Sequence, residues 1–484
     1  MIRPAALGAT AFVLASVTGT AFAAPQPEAP VVAPPETLVD APADTPVGAP
    51  VGAPVSAPVD VPVGAPADAP VDAPPKAPVD APPGPPSLRP VVARRGWQLD
   101  ITGFLQADSI VWSQASVDEL SPSSRQPLNE QRFTIPRARL RVEARRDQAF
   151  GAIELDGNTL NGATARLLGA QVGWKLVPGG RAGEPPLVVA LAGLFPVPFG
   201  AEVPSEAREK PFLEQPAMSR ALFPGNYDAG AMVRGQYDLA RWSFAVMNGA
   251  PVGDAQWKGV DPISSYDFVG RIGADVPGPR GLRIEAGVSG LSGTGLHPGV
   301  GPTKDGIEWV DENQNGAVDP TEIQIIPGSP GVPSQTFSRN ALGADLTVHY
   351  CLGALGTGTV FAEAALATNL DRGVIYADPV ASARDLRELG YAVGVVQNVG
   401  GHLVVGARYD RYDADRDALD REGVQLVNVH KVFSTLGIMA SARWDAARLT
   451  AEYDRERNPF GRGDDGAPIT RAADRFTIRA QVGF

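Results

Sequence analysis

The stretch DENQNGAVDPTE, residues 311–322, sets acidic or amide side chains at its first, third, fifth and ninth positions, glycine at the sixth and glutamate at the twelfth. A hard divalent cation takes six or more oxygens, and this spacing supplies them from one short segment. Asp311, Asn313 and Asn315 offer side-chain oxygens. Ala317 offers its carbonyl, Asp319 a direct or water-mediated contact, and Glu322 both carboxylate oxygens. Gly316 makes the sharp turn, and Val318 packs inward. Calcium is the expected ion, in a structural role. No amphipathic helix clearly flanks the segment, so a helix–loop–helix hand is not expected. The competing reading is an Asx- and Gly-rich surface turn.

A second group is cationic. In RFTIPRARLRVEA, residues 132–144, Arg137, Arg139 and Arg141 fall on one side of an extended segment, followed by Arg145, with Glu143 between. Arg234, Arg241, Arg271, Arg283, Arg408, Arg443, Arg448 and Arg479 take the corresponding side of theirs. A ladder of guanidinium groups favours anions, and its planar fork suits phosphate and carboxylate. Asp100, Glu154, Asp156, Asp267, Asp345, Glu363, Glu452 and Asp454 share that side, so a self-neutralised polar face is the alternative.

Enzyme chemistry is not expected. Ser243 and Ser289 have no histidine at a telling position, and His297, His349, His402 and His430 lie far apart. No nucleophile elbow or metalloprotease signature is present. Cys351 is alone.

The elements that must position these groups are strands. In the last ten residues Phe476, Ile478, Ala480, Val482 and Phe484 alternate with Arg475, Thr477, Arg479, Gln481 and Gly483. Period two means one apolar and one polar face. This terminal segment, ending on phenylalanine, resembles the strand by which outer-membrane barrels are recognised by their assembly machinery. Sixteen such segments start near residues 97, 132, 149, 164, 187, 227, 240, 264, 281, 339, 358, 387, 402, 431, 447 and 474. Short connections (146–148, 237–239, 276–280, 398–401, 445–446) alternate with mostly long ones (108–131, 196–226, 249–263, 290–338, 370–386, 413–430, 458–473). Short periplasmic turns and long outer loops have this rhythm in bacterial transmembrane barrels. The expected fold is all-β: a 16-stranded antiparallel transmembrane β-barrel over 96–484. Its apolar face meets outer-membrane lipid, and its interior is wide enough for water. A soluble sandwich also gives alternating strands, but not this rhythm together with an export signal.

That signal is residues 1–23: Arg3, an apolar run over 5–17, and a small-x-small site at Ala21-Phe22-Ala23. No later apolar run is long enough for a spanning helix. Residues 24–95 are mostly Ala, Pro, Val and Asp, with proline at every fourth position from Pro42 to Pro90. Proline removes donors and fixes φ, so a disordered, extended linker is expected. An even strand count starts it in the periplasm. It is a spacer or a tether to the cell wall. The net charge of −12 argues against a nucleic-acid partner.

The third outer loop is the candidate constriction. Residues 204–222 read as helical turns broken by Pro211 and Pro216, and a loop this long can fold back into the lumen. It carries Arg208, Lys210, Glu214 and Arg220 beside Phe212 and Leu213. The stretch from Gly193 to Gly200, then Phe212-Leu213-Glu214, Pro224-Gly225 and Asp228 with Gly230, resembles the phosphate-selective porins O and P. The arginine-bearing segment 132–144 is similar to their early strand. The resemblance implies a homotrimeric 16-stranded porin narrowed by its third loop. The expected function is a water-filled channel for passive diffusion of small polar solutes, with anion preference and phosphate as one candidate. A structural barrel tethered by its linker, without specific transport, is the alternative.

Overall fold

The structure, a computed structural model, describes residues 96–484 apart from 114–115, 121–126, 130, 161, 178, 180–185, 423–424, 429–430 and 463–467. The expected export signal and proline-rich linker lie outside the described residues, as does His430.

Besides small two-stranded hairpins, the described residues form a closed sheet of sixteen antiparallel strands. They are β1 (Gln98–Trp112), β2 (Arg132–Thr134 and Ala138–Arg146), β3 (Ala149–Asn158), β4 (Thr164–Val177), β5 (Val188–Pro196), β6 (Tyr227–Tyr237), β7 (Ala240–Met247) and β8 (Asp267–Pro277). The second half is β9 (Arg283–His297), β10 (Gln335–Cys351), β11 (Thr357–Thr368), β12 (Arg387–Val399), β13 (Leu403–Asp413), β14 (Val432–Trp444), β15 (Ala447–Arg462) and β16 (Pro468–Ala472 and Arg475–Gly483). Each pairs with its sequence neighbours. The last meets the first, with Phe104 opposite Gly483 and Trp112 opposite Arg475. At the seam, the Gly103 and Phe484 amides each donate to the other's carbonyl at 2.9 Å. Closure leaves no edge to satisfy in a medium without water.

The burial pattern is inside-out. Val172, Phe244, Phe268, Val288, Leu342 and Ile438 are exposed on the outer wall, whereas Gln106, Asp156, Asp345, Thr450, Glu452 and Arg479 are buried within. Alternation along each strand produces this, because successive side chains take opposite faces. An apolar exterior over a polar interior is the pattern of a lipid-facing barrel.

The strand starts expected from sequence hold to within a few residues, with one shift of consequence. β9 runs to His297 and β10 begins at Gln335, so the fifth outer loop is 298–334 rather than 290–338. It carries a small hairpin, Gly306–Trp309 with Ile323–Ile326. The helical turns expected over 204–222 reduce to one short helix, α1 (Ala217–Leu222), because Pro211 and Pro216 interrupt the backbone before it.

Candidate transport pathway and constriction

The third outer loop, 197–226, folds into the lumen and is bonded to the wall through its backbone. Glu363 on β11 accepts from the Ala201 and Glu202 amides at 3.1 and 2.9 Å. Glu452 on β15 accepts from the Leu213 amide at 2.8 Å, and Asp410 on β13 from Ala217 at 3.1 Å. Guanidinium groups take the loop's carbonyls. Arg408 donates to Glu214 O, Arg448 to Lys210 O and Arg479 to Leu213 O, each at 2.7 Å. Arg448 also donates to Pro211 O. Hydrogen bonds to charged groups contribute about 1.5–3 kcal/mol each. The loop is therefore pinned from several strands, and losing one bond does not free it.

Apolar packing completes the anchorage. Phe199, Met218, Leu222 and Phe223 are buried with Phe195, Leu370 and Tyr412 in a core inside the barrel. Phe212 lies under the Arg408 guanidinium, 4.8 Å from its ring centre, and 6.2 Å from the Phe361 ring. Wall glycines make the room. A Cβ on Gly390 would stand 2.6 Å from Met218, and one on Gly343 2.8 Å from the Phe199 ring.

The four loop charges singled out from sequence have distinct fates. Arg208 donates to Glu206 at 2.8 Å, and Lys210 to Glu202 at 2.8 Å. Burial pulls the Lys210 ammonium below its usual value, with Glu202 opposing the shift. Arg220 is exposed on α1. Glu214 lies between Arg479 (2.9 Å) and Arg137 (3.2 Å). Burial raises its carboxyl, but Arg137 and then Arg479 outweigh that and hold it well below the usual carboxylate range.

Most of the arginines expected on the lumen side are paired with carboxylates. Arg139 reaches Asp156 at 3.2 Å, and Arg141 reaches Glu143 and Glu154 at 3.2 and 3.4 Å. Arg241 and Arg283 share Asp275 at 3.3 and 2.8 Å, and Arg271 forks onto Asp345. Arg479 donates twice to Asp108 at 2.7 Å and is covered by the loop, so it clamps the loop rather than lining open water. Arg137 is likewise occupied by Glu214. Among the described residues Arg234 and Arg443 make no ion pair, although Glu143 acts on Arg234 at longer range, and Arg448 donates to loop carbonyls instead. Sequence alternation placed every one of these on its face but carried no signal for which would find a partner.

The loop leaves two lumen compartments. One, of about 710 Å³, lies against the wall formed by β2–β9. Four arginines there (Arg141, Arg234, Arg241, Arg271) face three glutamates (Glu154, Glu206, Glu285). The other, of about 390 Å³, lies against β10–β14. Three cations there (Lys210, Arg408, Arg443) face four glutamates (Glu202, Glu209, Glu214, Glu363). The roles of Glu363, Asp410 and Glu452 as acceptors for the loop backbone had no sequence signal beyond their inward position.

At the tip of the fifth loop, the Gly316 and Asn315 amides donate to Asp311 at 2.8 and 3.1 Å. The Asn313 side-chain amide donates to Asp319 at 2.9 Å, and the Trp309 indole donates to Glu322 at 3.1 Å. Val318 is exposed rather than packed inward, because the small hairpin offers it no core. Among the described residues no three His, Cys, Asp or Glu side chains are grouped closely enough to hold a metal ion. The two asparagine amides occupy the space between the acids, each donating to Asp319.

No protein-family model matches the chain. No curated protein matches its sequence. Solved structures do match. The outer membrane channel DcaP of Acinetobacter baumannii aligns with a TM-score of 0.51 at 13% identity, over 82% of this chain and 100% of that one. OprB of Pseudomonas putida aligns at 0.49 and 10% identity, over 80% and 94%. An anion-selective porin from Comamonas acidovorans aligns at 0.46 and 11%, over 80% and 100%. The alignment to DcaP carries the fold: a closed 16-stranded antiparallel barrel. Likeness to the phosphate-selective porins rests on the motifs alone.

Proposed function

We propose that this protein is an outer-membrane porin through which small polar solutes diffuse passively, with preference for anions. One observation carries the reading. Arg234 lines the larger compartment and, among the described residues, makes no ion pair, Glu143 acting on it only at longer range. Selectivity follows the fixed charge along the narrow path rather than the net charge of the chain. The overall −12 therefore does not oppose it. Inorganic phosphate belongs to the class of solutes that an unpaired guanidinium accepts.

In this reading the chain sits in the outer membrane of a Gram-negative bacterium with its N-terminal linker in the periplasm. It assembles as a homotrimer. The concave apolar surface on the outer wall of β4–β10, with Ala190, Ala192, Ala231, Gly270 and Gly290 at its floor, allows close approach of a neighbour. Calcium orders the fifth loop once the Asn313 and Asn315 amides turn their oxygens inward. At millimolar external calcium even a weak site fills. Protection of this loop from protease by calcium, lost in Glu322→Gln, tests that part; cutting unaffected by chelation counts against it.

Planar-bilayer recording tests the whole. Stepwise currents with a reversal potential displaced toward the anion are expected, and Arg234→Gln reduces the displacement. A silent insert would favour the tethered structural barrel instead.

A further inference from the structure

The larger compartment is lined by both hydrogen-bonding and apolar groups. The wall presents Arg141, Arg234, Gln171, Gln236 and Ser243, with apolar groups interspersed among them and on the folded loop. The apolar groups are Val189 and Leu191 on β5, Val189 directly opposite Arg234 on β6, and Pro196, Pro198 and Pro204 at the root of the folded loop. Arg141 is committed to Glu143 and Glu154, and Arg271 to Asp345. Arg234 alone of the lining arginines makes no ion pair among the described residues; Gln236, Ser243 and Val189 line the compartment with it.

We propose that this compartment is a binding site for monovalent organic carboxylates with a compact apolar body. The proposal rests on the anion-channel reading and narrows it. A carboxylate matches the guanidinium fork with two parallel hydrogen bonds. Its single charge matches the single unpaired arginine. The body of the ligand is then set against the proline and β5 surface, where apolar area leaves water. Inorganic phosphate, a mixture of mono- and dianion near neutral pH with no apolar part, gains only the head contact. A volume of about 710 Å³ lies within the range of small-molecule sites.

The probe is 4-fluorobenzoate, followed by fluorine NMR line broadening with the full chain in detergent micelles. This readout needs no conductance, so a silent bilayer insert would sink the channel reading while leaving the site testable. Broadening is expected with the wild type. Unlabelled benzoate should reverse it at lower concentration than acetate or inorganic phosphate. Arg234→Gln should weaken binding at least ~10-fold, the scale of a lost charge-assisted contact. Val189→Thr should weaken benzoate several-fold and leave acetate unchanged. Leu366→Val on the lipid face, with the same micelle, should bind as wild type. Equal displacement by phosphate and benzoate overturns the proposal, as does broadening that survives intact in Arg234→Gln.

Discussion

Arg479 on the last strand and Glu214 on the folded loop stand 2.9 Å apart, Nη2 to Oε1, and the other oxygen of Glu214 accepts at 3.2 Å from Arg137, which lies in the break between the two parts of β2. One loop carboxylate thus sits between guanidinium groups from strands on either side of β1, across the seam where the barrel closes. Two wall cations are masked by one acid brought to them from sequence more than seventy residues from the nearer, at a separation of 77.

Glu214→Gln should unmask charge without freeing the loop. Arg408 and Arg479 still hold the loop carbonyls, and Asp108 still holds Arg479. The expected outcome is a reversal potential shifted further toward the anion, with single-channel conductance within about twofold of wild type. An unchanged reversal potential would place Glu214 off the ion path.

The same clamp has a defined pH dependence. The folded carboxyl of Glu214 is depressed below its unfolded value. Its stabilisation is therefore present in full above the ordinary glutamate value of about 4.3, and is lost as pH falls through the depressed folded value. The difference in unfolding temperature between wild type and Glu214→Gln should be flat from about pH 8 to 5 and shrink only below about pH 4. A difference that decays near neutrality would contradict the clamp.

Gly390→Leu should dislodge the loop rather than the barrel. Its side chain would enter space held by Met218 of α1. Overpacking of this kind costs about 1–3 kcal/mol. The loop can relieve it by moving, whereas the sheet cannot. Larger conductance and trypsin cleavage after Arg208 or Arg220 are expected, with the heat resistance of the barrel retained.

Adjacent positions on β7 should respond oppositely to the same charge. Phe244 faces lipid and Ser243 the lumen. Phe244→Arg should destabilise folding into lipid vesicles by about 2–4 kcal/mol if it lies near the midplane. Ser243→Arg should cost little and raise anion preference. Denaturant titration of both variants in vesicles checks the first outcome, and reversal potential the second.

The sequence by itself determined the wall. Alternation in segments such as 475–484 and 240–247 assigns each side chain to lipid or lumen, because a strand has a period of two and no freedom to depart from it. The long-short rhythm of connections counted the strands, and the prolines and glycines around 193–200 marked the third loop as unusual. Loop boundaries were less legible: β9 continues past 290 through Ser292, Thr294 and Leu296, because a polar strand that has risen above lipid loses its apolar stripe but keeps its partner β10. Only the tertiary structure decided which charges remain to act on a solute. Arg234 and Arg479 are indistinguishable by spacing, yet one is unpaired and the other is sealed against Asp108 and Glu214. Ion pairing is set by distances of a few ångströms between strands and a loop remote in sequence. A one-dimensional pattern records the side on which a charge stands, and closure of the barrel around its own loop fixes what stands opposite.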